Sequence, residues 1–377
     1  MRAAVPALRV IDRLRSPEAR MKILLATAHP YIPQIAGGAQ SSMHDMAIEL
    51  AKREHEVSVL SGLTRKGWLG LKSRIALKLP GQTYVTDHGL GYPVHRAWFA
   101  WEAVGDLVQR THPDVVMLQS GFPVKIAKSL ASSGSSARVG IYLHNVEAED
   151  LGGDLRDLQD VFYVANSRFT ANHFHDRFNI RAEIVYPLVR RENYETSTTR
   201  ENVTFINPHP LKGLEIALGV AERCPDIPFV FVESWGIDPQ DEEQRRQRLA
   251  TLPNVTLRPP TRDMKSVYGK ARIVIAPSQW EEAFGRVGVE PQFSGIPVVA
   301  SARGGLPEAV GPGGILMDPG ADADAWAQAV RKLWSDPAFY AEKSQAARAH
   351  ANRPEMNPAY QIDRLLEIFG RKGGLAV

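Results

Sequence analysis

A chain of 377 residues with 44% hydrophobic content can bury more than one core, so two domains are expected. Its formal net charge of +3 lacks the basic excess of a nucleic-acid binder, and no nucleic-acid partner is expected. The lone Cys224 excludes an intramolecular disulfide and a cysteine-cluster zinc site, which suits a reducing cytoplasm.

Residues 1–20 hold five Arg and only broken apolar runs, too interrupted for a signal-peptide core, and read as a disordered N-terminal extension. No apolar run in the chain approaches the roughly 18 residues that cross a bilayer. The fold is expected to begin at Met21 with KILLAT (22–27). Further strand-like runs follow at EVSVL (56–60), DVVML (114–118), VGIYLH (139–144), VFYVA (161–165) and EIVYP (183–187), alternating with helical patterns. That rhythm indicates βαβ units and a parallel sheet, giving a first domain over 21–189. The polar stretch 190–202, RRENYETSTTREN, reads as a linker. The rhythm then restarts with VTFIN (203–207), PFVFV (228–232), VTLRP (255–259), RIVIAP (272–277), IPVVAS (296–301) and GILMD (314–318). A second domain over 203–350 follows, and residues 351–377 carry a helical pattern that could pack back on the first domain. Two doubly wound α/β domains facing across a cleft place the default ligand site between them.

Four turns carry candidate chemistry. After the first strand, Gly37-Gly38 precedes a helix expected over 40–53, where backbone amides could meet an anion. Lys212-Gly213 opens the first helix of the second domain and sets an ammonium beside free amides. In PSQWEEAFGRVGVE (277–290), Glu282, a Phe284-Gly285 turn and Glu290 stand between two strands. If the segment from Gly285 is helical, Glu290 lies more than a turn inside it. A fully helical run between the two acids would rise about 12 Å, against roughly 5 Å for a retaining glycosidase pair. They read as two ligand contacts, with helix-start acids favoured by the dipole as the alternative. SARGGLPEAV (301–310) holds Gly304-Gly305 before a helix containing Glu308. Each glycine turn taken alone reads equally as an ordinary tight turn.

His144 ends a strand at the edge facing the cleft, where it could bond a sugar hydroxyl or titrate near neutrality. His173 and His175 point to different helix faces and are assigned no metal. Asp322-Ala323-Asp324 spells a D-x-D but reads as an N-cap with a first-turn acid. No metal ligand is assigned.

Together these residues resemble the retaining GT-B-fold glycosyltransferases of family 4 (group 1), a family that includes sucrose-phosphate synthases and many bacterial cell-envelope mannosyl- and glucosyltransferases. The resemblance runs from Met21 to about residue 350, and the E-x7-E pattern through Glu282, Phe284, Gly285 and Glu290 is its most specific element. It implies two Rossmann-like domains, a UDP- or GDP-sugar donor, no required cofactor and a hydroxyl acceptor that can be lipid-linked. It further implies that Glu290 binds ribose hydroxyls and Lys212 the diphosphate. Glu282 and the backbone after Phe284 would hold the transferred sugar, His144 would contact that sugar, and Gly38 would lie near diphosphate and acceptor. The family commonly has Arg where this chain has Asn207, so a replacement cation is expected, with Arg286 preferred to Arg262. A nucleotide-sugar 2-epimerase and a non-catalytic sugar-binding protein are the competing readings.

Residues 65–78, RKGWLGLKSRIALK, combine five basic residues with Trp68, Leu69, Leu71, Ile75 and Leu77 and no acid. They read either as a contact with the inner face of a membrane, placing a cytoplasmic protein at its periphery, or as a surface helix packed on its own domain.

Overall fold

The computed structural model describes residues 20–35, 37–234 and 239–371; all but the last residue of the expected 1–20 extension lies outside them. The first domain is an eight-stranded sheet of β1 (Lys22–Pro30), β2 (Glu56–Gly62), β3 (Val85–Asp87), β4 (Val94–Ala97), β5 (Val115–Leu118), β6 (Arg138–Leu143), β7 (Val161–Ala165) and β8 (Glu183–Ile184). Its order is β3-β4-β2-β1-β5-β6-β7-β8, parallel throughout except for the β3–β4 pair. Ile23 to Ala26 are essentially fully buried, as a strand covered on both faces requires.

The sequence pattern does not reveal β3 and β4, because VTD and VHRA carry charges where a buried strand should be apolar. Arg96 is fully buried nevertheless: its Nε lies 2.5 Å from Asp87 and a terminal nitrogen donates to the Ile32 carbonyl at 2.7 Å. Burial of that guanidinium is tolerable because it is paired and hydrogen-bonded, and it pins the loop that follows β1.

The second domain holds six parallel strands, β9 (Asn202–Ile206), β10 (Phe229–Val232), β11 (Val255–Arg258), β12 (Ala271–Ala276), β13 (Val298–Ser301) and β14 (Gly314–Met317), in the order β11-β10-β9-β12-β13-β14. All six apolar runs expected after residue 202 are therefore strands of one sheet. The order reverses between β9 and β12, and in such sheets ligands bind outside the carboxyl ends of the strands at that reversal. The Lys212 turn follows β9 and the Glu282 loop follows β12. The topology alone brings the two segments together.

The chain returns to the first domain at its end. Helix Pro358–Gly370 buries Ile362, Leu365, Leu366, Ile368 and Phe369 in the same core as Ile23, Val57 and Phe162. Arg138 donates to the Ile368 and Phe369 carbonyls, filling acceptors that a helix C-terminus leaves open. Arg364 and Arg371 both reach Glu183, at 2.5 and 2.6 Å.

Asp322 is an N-cap, accepting from the Ala325 amide at 2.9 Å ahead of helix Ala323–Ser335, while Asp324 pairs with Arg223 at 2.5 Å. Both carboxylates of the D-x-D are thereby occupied by the helix and its neighbour.

Candidate functional site

Between the domains lies a cavity of about 450 Å³, lined from the first domain by residues that include His29, Gly37, Gly38, Gln40, Ser120, His144, Asn145, Glu147 and Asn166. The second domain contributes Lys212, Trp280, Glu281, Glu282, Ala283, Phe284, Gly285 and Arg286. Gly37, Gly38, His144, Lys212, Glu282, Phe284, Gly285 and Arg286, all singled out from the sequence, thus line one space. Glu290 does not, and sits behind Arg286.

The Lys212 turn is built by a glycine. After the 3-10 turn Pro210–Lys212, Gly213 has φ +83°, and a Cβ there would run into the Pro277 carbonyl oxygen. Only glycine combines that backbone with that approach. The Leu211 carbonyl then accepts from the Gln279 and Trp280 amides at 2.9 and 3.0 Å, fastening the turn to the Glu282 loop. Lys212 Nζ lies 2.6 Å from Glu282 Oε1 and 5.8 Å from the Trp280 ring centroid, and Glu282 also accepts from Ser278 at 3.2 Å. Lys212 and Glu282 are 14% and 17% exposed, so each holds the other's rotamer at the cavity wall.

The Glu282 loop is clamped from two more sides. Gly304-Gly305 packs against it so closely that a Cβ on either would meet the backbone of residues 282 to 284, and the Gly305 amide donates to the Glu282 carbonyl at 2.6 Å. That glycine turn supports the loop and does not line the cavity. From the first domain, Ser167 and Thr170 donate to the Ala283 carbonyl, Thr170 at 3.0 Å. Tyr186 and the Arg168 amide donate to Glu308 at 2.6 and 2.8 Å, a second bridge between the domains. Phe284, 2% exposed, packs on Tyr186 with ring centroids 5.4 Å apart.

The helix expected from Gly285 is absent. Residues Arg286–Gly288 and Glu290–Ser294 form two 3-10 turns. A helix running on from Gly285 would put Pro291 in its interior, where the missing N–H and the ring clash break it. Arg286 points back across the cleft, donating to Glu290 at 3.1 Å, to the Tyr194 hydroxyl at 2.7 Å and to the Gly38 carbonyl at 3.4 Å. Burial disfavours its charge, yet Tyr194, Glu290 and Asp45 more than compensate and hold it protonated. Its acid is Glu290, which also accepts from Tyr268 at 3.0 Å. Arg262 is exposed and is not among the lining residues. Asn207 sits buried at the end of β9 with φ +63°.

Gly37 is the extended N-cap (φ −150°) of helix Gly38–Lys52, whose first turn faces the cavity. A Cβ on Gly38 would touch only Arg286 Cδ, at 3.5 Å, so a tight turn does not demand this glycine.

His144 does not titrate near neutrality. It is 6% exposed, and burial together with the charge of Arg286 lowers its pKa to about 3. It is a neutral imidazole whose Nε2 is buried without a hydrogen-bond partner among the described residues, its ring centroid 4.0 Å from that of Tyr142. A donor or acceptor in that state fits a hydroxyl ligand better than an anion.

His29, Asn145, Glu147 and Asp150 escaped the sequence reading. His29 lies 2.7 Å from Asp150, which also accepts from the Gly121 amide and Asn145 at 3.0 Å each. The bond to Asp150 raises the His29 pKa against the opposing effect of burial. The available signal was its place: His29 falls near the carboxyl end of β1, as His144 falls at that of β6.

Comparison with known proteins bears on the family and the fold. Residues 209–350 match the model "Glycosyl transferases group 1" and residues 36–192 match "Glycosyltransferase Family 4". A D-inositol 3-phosphate glycosyltransferase from Mycolicibacterium smegmatis is 34% identical over 184 residues, 46% of this chain and 41% of that protein. The one from Corynebacterium kroppenstedtii is 46% identical over 117 residues, 30% of this chain and 26% of the relative. The matched stretches thus span less than half the length of these relatives. Among solved structures, Anabaena Alr3699/HepE, determined in complex with UDP-glucose, superposes with TM-score 0.73 at 21% identity, over 93% of this chain and 99% of that one. Sucrose-phosphate synthase from Thermosynechococcus elongatus superposes with TM-score 0.71 at 17% identity, over 93% and 98%. The fold is therefore GT-B, and with one family model on each domain the chain belongs to the group 1, family 4 glycosyltransferases.

Proposed function

We propose that the protein transfers a sugar from a nucleotide diphosphate donor to an acceptor hydroxyl, with retention at the anomeric carbon and without a metal requirement. The observation that carries this reading is the Lys212–Glu282 pair, set at the strand-order reversal of the second domain and facing His144 across the cleft. UDP is the favoured nucleotide, since the neighbouring Anabaena structure holds UDP-glucose.

Each residue has a separate task. Lys212 and the amides opening helix Gly38–Lys52 meet the diphosphate, where negative charge grows as the C1–O bond to phosphate breaks. The acceptor oxygen bonds C1 on the same face, and its proton passes to the departing phosphate oxygen. No side-chain nucleophile takes part. Glu282 and neutral His144 hold hydroxyls of the sugar, and Glu290 meets the ribose when Arg286 turns toward phosphate. Occupation of Asp322 and Asp324 by capping and by Arg223 supports the metal-independent reading. The acceptor is a hydroxyl of a lipid-linked, polysaccharide or small-molecule compound; a lipid-linked one would place the protein at the periphery of a membrane.

A screen of nucleotide-sugars for nucleotide diphosphate release, with and without hydroxyl acceptors, tests the activity. Proton NMR of the product's anomeric signal tests retention, and an inverted linkage would refute it. Loss of turnover in chelator, restored by a divalent ion, would refute metal independence. Epimerisation without transfer would favour the epimerase reading instead.

A further inference from the structure

Helix Gly67–Ala76 is turned inside out. Three of its four large apolar residues face solvent, with Trp68 76%, Ile75 64% and Leu71 48% exposed, while Leu69 is half-buried; Leu79 just beyond the helix is 64% exposed. The side toward the domain carries Gly70 and Ser73, both buried, and a Cβ on Gly70 would press into residues 64 and 65. At about 100° per residue, Leu71, Ile75 and Trp68 fall within an arc of about 60°, flanked by Lys72 and Arg74. The helix does pack on its own domain, but through its small residues, which leaves most of its large apolar side chains outside.

Arg65, Lys66, Lys72, Arg74 and Lys78 are accompanied by no Asp or Glu anywhere from residue 57 to 86. An apolar strip rimmed by unopposed cations matches an anionic lipid surface, where the rings and aliphatic chains enter the headgroup boundary and the bases meet phosphate. A second copy of this chain would bring like charge to the same strip. The strip also lies close to the cleft. The Gln34 side chain accepts from the Thr64 amide at 3.2 Å and donates to the Thr64 and Lys66 carbonyls at 3.0 and 3.2 Å, tying the start of the helix to the loop that carries Ile35. Ile35 is 43% exposed and lines the cavity.

We propose that Trp68, Leu71 and Ile75 seat the protein on an anionic bilayer with the first-domain side of the cleft mouth at the lipid surface. Presentation of a lipid-borne acceptor there rests on the transferase reading; the docking itself does not. The test is cosedimentation of the full chain with vesicles of phosphatidylcholine, with and without phosphatidylglycerol, at low and moderate salt. Binding should need phosphatidylglycerol and weaken with salt. Trp68→Ser with Ile75→Ser should reduce it tenfold or more, as should Lys72→Glu with Arg74→Glu, with thermal unfolding unchanged because all four side chains are exposed. Calorimetry with UDP on the same variants should match wild type. No sedimentation with phosphatidylglycerol vesicles at low salt overturns the proposal, as does binding that survives both double variants. Self-association that Trp68→Ser abolishes would assign the strip to a second copy and overturn it too. Vesicle binding by a chain that takes up no nucleotide would sink the transferase reading and leave the docking standing.

Discussion

Replacing Glu282 by Gln should separate binding from turnover in opposite directions. In the resting site Glu282 Oε1 holds Lys212 at 2.6 Å, so an arriving diphosphate must compete with that carboxylate for the ammonium and also approach its negative charge. At an effective dielectric of about 20, a unit charge roughly 6 Å from a phosphate costs about 3 kcal/mol. The neutral amide of the Glu282→Gln variant removes that repulsion but orients Lys212 less firmly, which returns about a third to a half of the gain, on the order of 1 to 1.5 kcal/mol. The nucleotide diphosphate alone should therefore bind the variant tighter, by about ten- to thirtyfold. Turnover should move the other way, because a sugar hydroxyl loses a charge-assisted acceptor in the transition state: about 1.5 to 3 kcal/mol, or one to two powers of ten in kcat. Calorimetry with UDP and steady-state kinetics with a saturating donor measure the two effects. Weaker UDP binding with kcat intact would refute the assignment of Glu282 to the sugar and of Lys212 to the diphosphate.

Other expectations follow from single contacts. Arg286→Ala should raise the Kd for the nucleotide diphosphate about tenfold or more and leave the nucleoside nearly unaffected, while stranding the 13% exposed Glu290 and destabilising the fold by about 3 kcal/mol in denaturant titrations. Equal weakening of both ligands would remove Arg286 from the phosphate site. Gly213→Ala should destabilise by more than about 2 kcal/mol, since it adds left-handed strain to a collision with the Pro277 carbonyl; a wild-type melting curve would contradict this geometry. Asp45, 5% exposed, has its pKa raised to about 6 by burial, against the attraction of Arg286 and Arg190. A raised carboxylate pKa means that stability falls as pH rises from about 4 to about 6. Asp45→Asn should therefore be more stable than wild type above pH 6, by up to about 2 to 3 kcal/mol, with the gain gone by pH 4. Melting curves at pH 4 and pH 8 decide it, and an equal difference at both values would refute the titration.

The sheets were legible because buried parallel strands read as unbroken apolar runs, and each of the twelve runs found in the sequence forms one. The strands that hid, β3 and β4, did so because Asp87 and Arg96 neutralise each other inside the fold, a pairing no local pattern displays. Lys212 and Glu282 were legible through the Gly213 and Gly285 turns that position them. The Arg286–Glu290 pair stands at a spacing of four, which a helix would also bring together; what the helical reading missed is Pro291, which breaks the segment into two 3-10 turns. The neutrality of His144 was equally hidden, since it depends on burial and on Arg286, a residue 142 positions away in the chain. His29 and Asp150 meet across 121 residues, so their pairing belongs to the topology and not to any motif.

The cavity's charges share one arrangement. Lys212 pairs with Glu282 and Arg286 with Glu290, while His29 bonds Asp150, so each Lys and Arg lining the described cavity has a carboxylate within 3.1 Å. A lone cation there would be costly to hold at a fixed place in a largely buried wall, whereas a paired one keeps its rotamer in the resting state. On the proposed reading, affinity for the diphosphate is then the difference between two ion pairs and not the full strength of one. That keeps binding of the leaving group moderate, and it gives each carboxylate a second task once displaced: Glu282 toward the sugar and Glu290 toward the ribose. The donor would thus be recognised by an exchange of partners in which phosphate takes the cations and hydroxyls take the acids. A nucleoside monophosphate or a free sugar can complete only half of that exchange. On that reading, selectivity for the intact nucleotide-sugar would follow from the pairing itself, without any group reserved for rejecting the fragments.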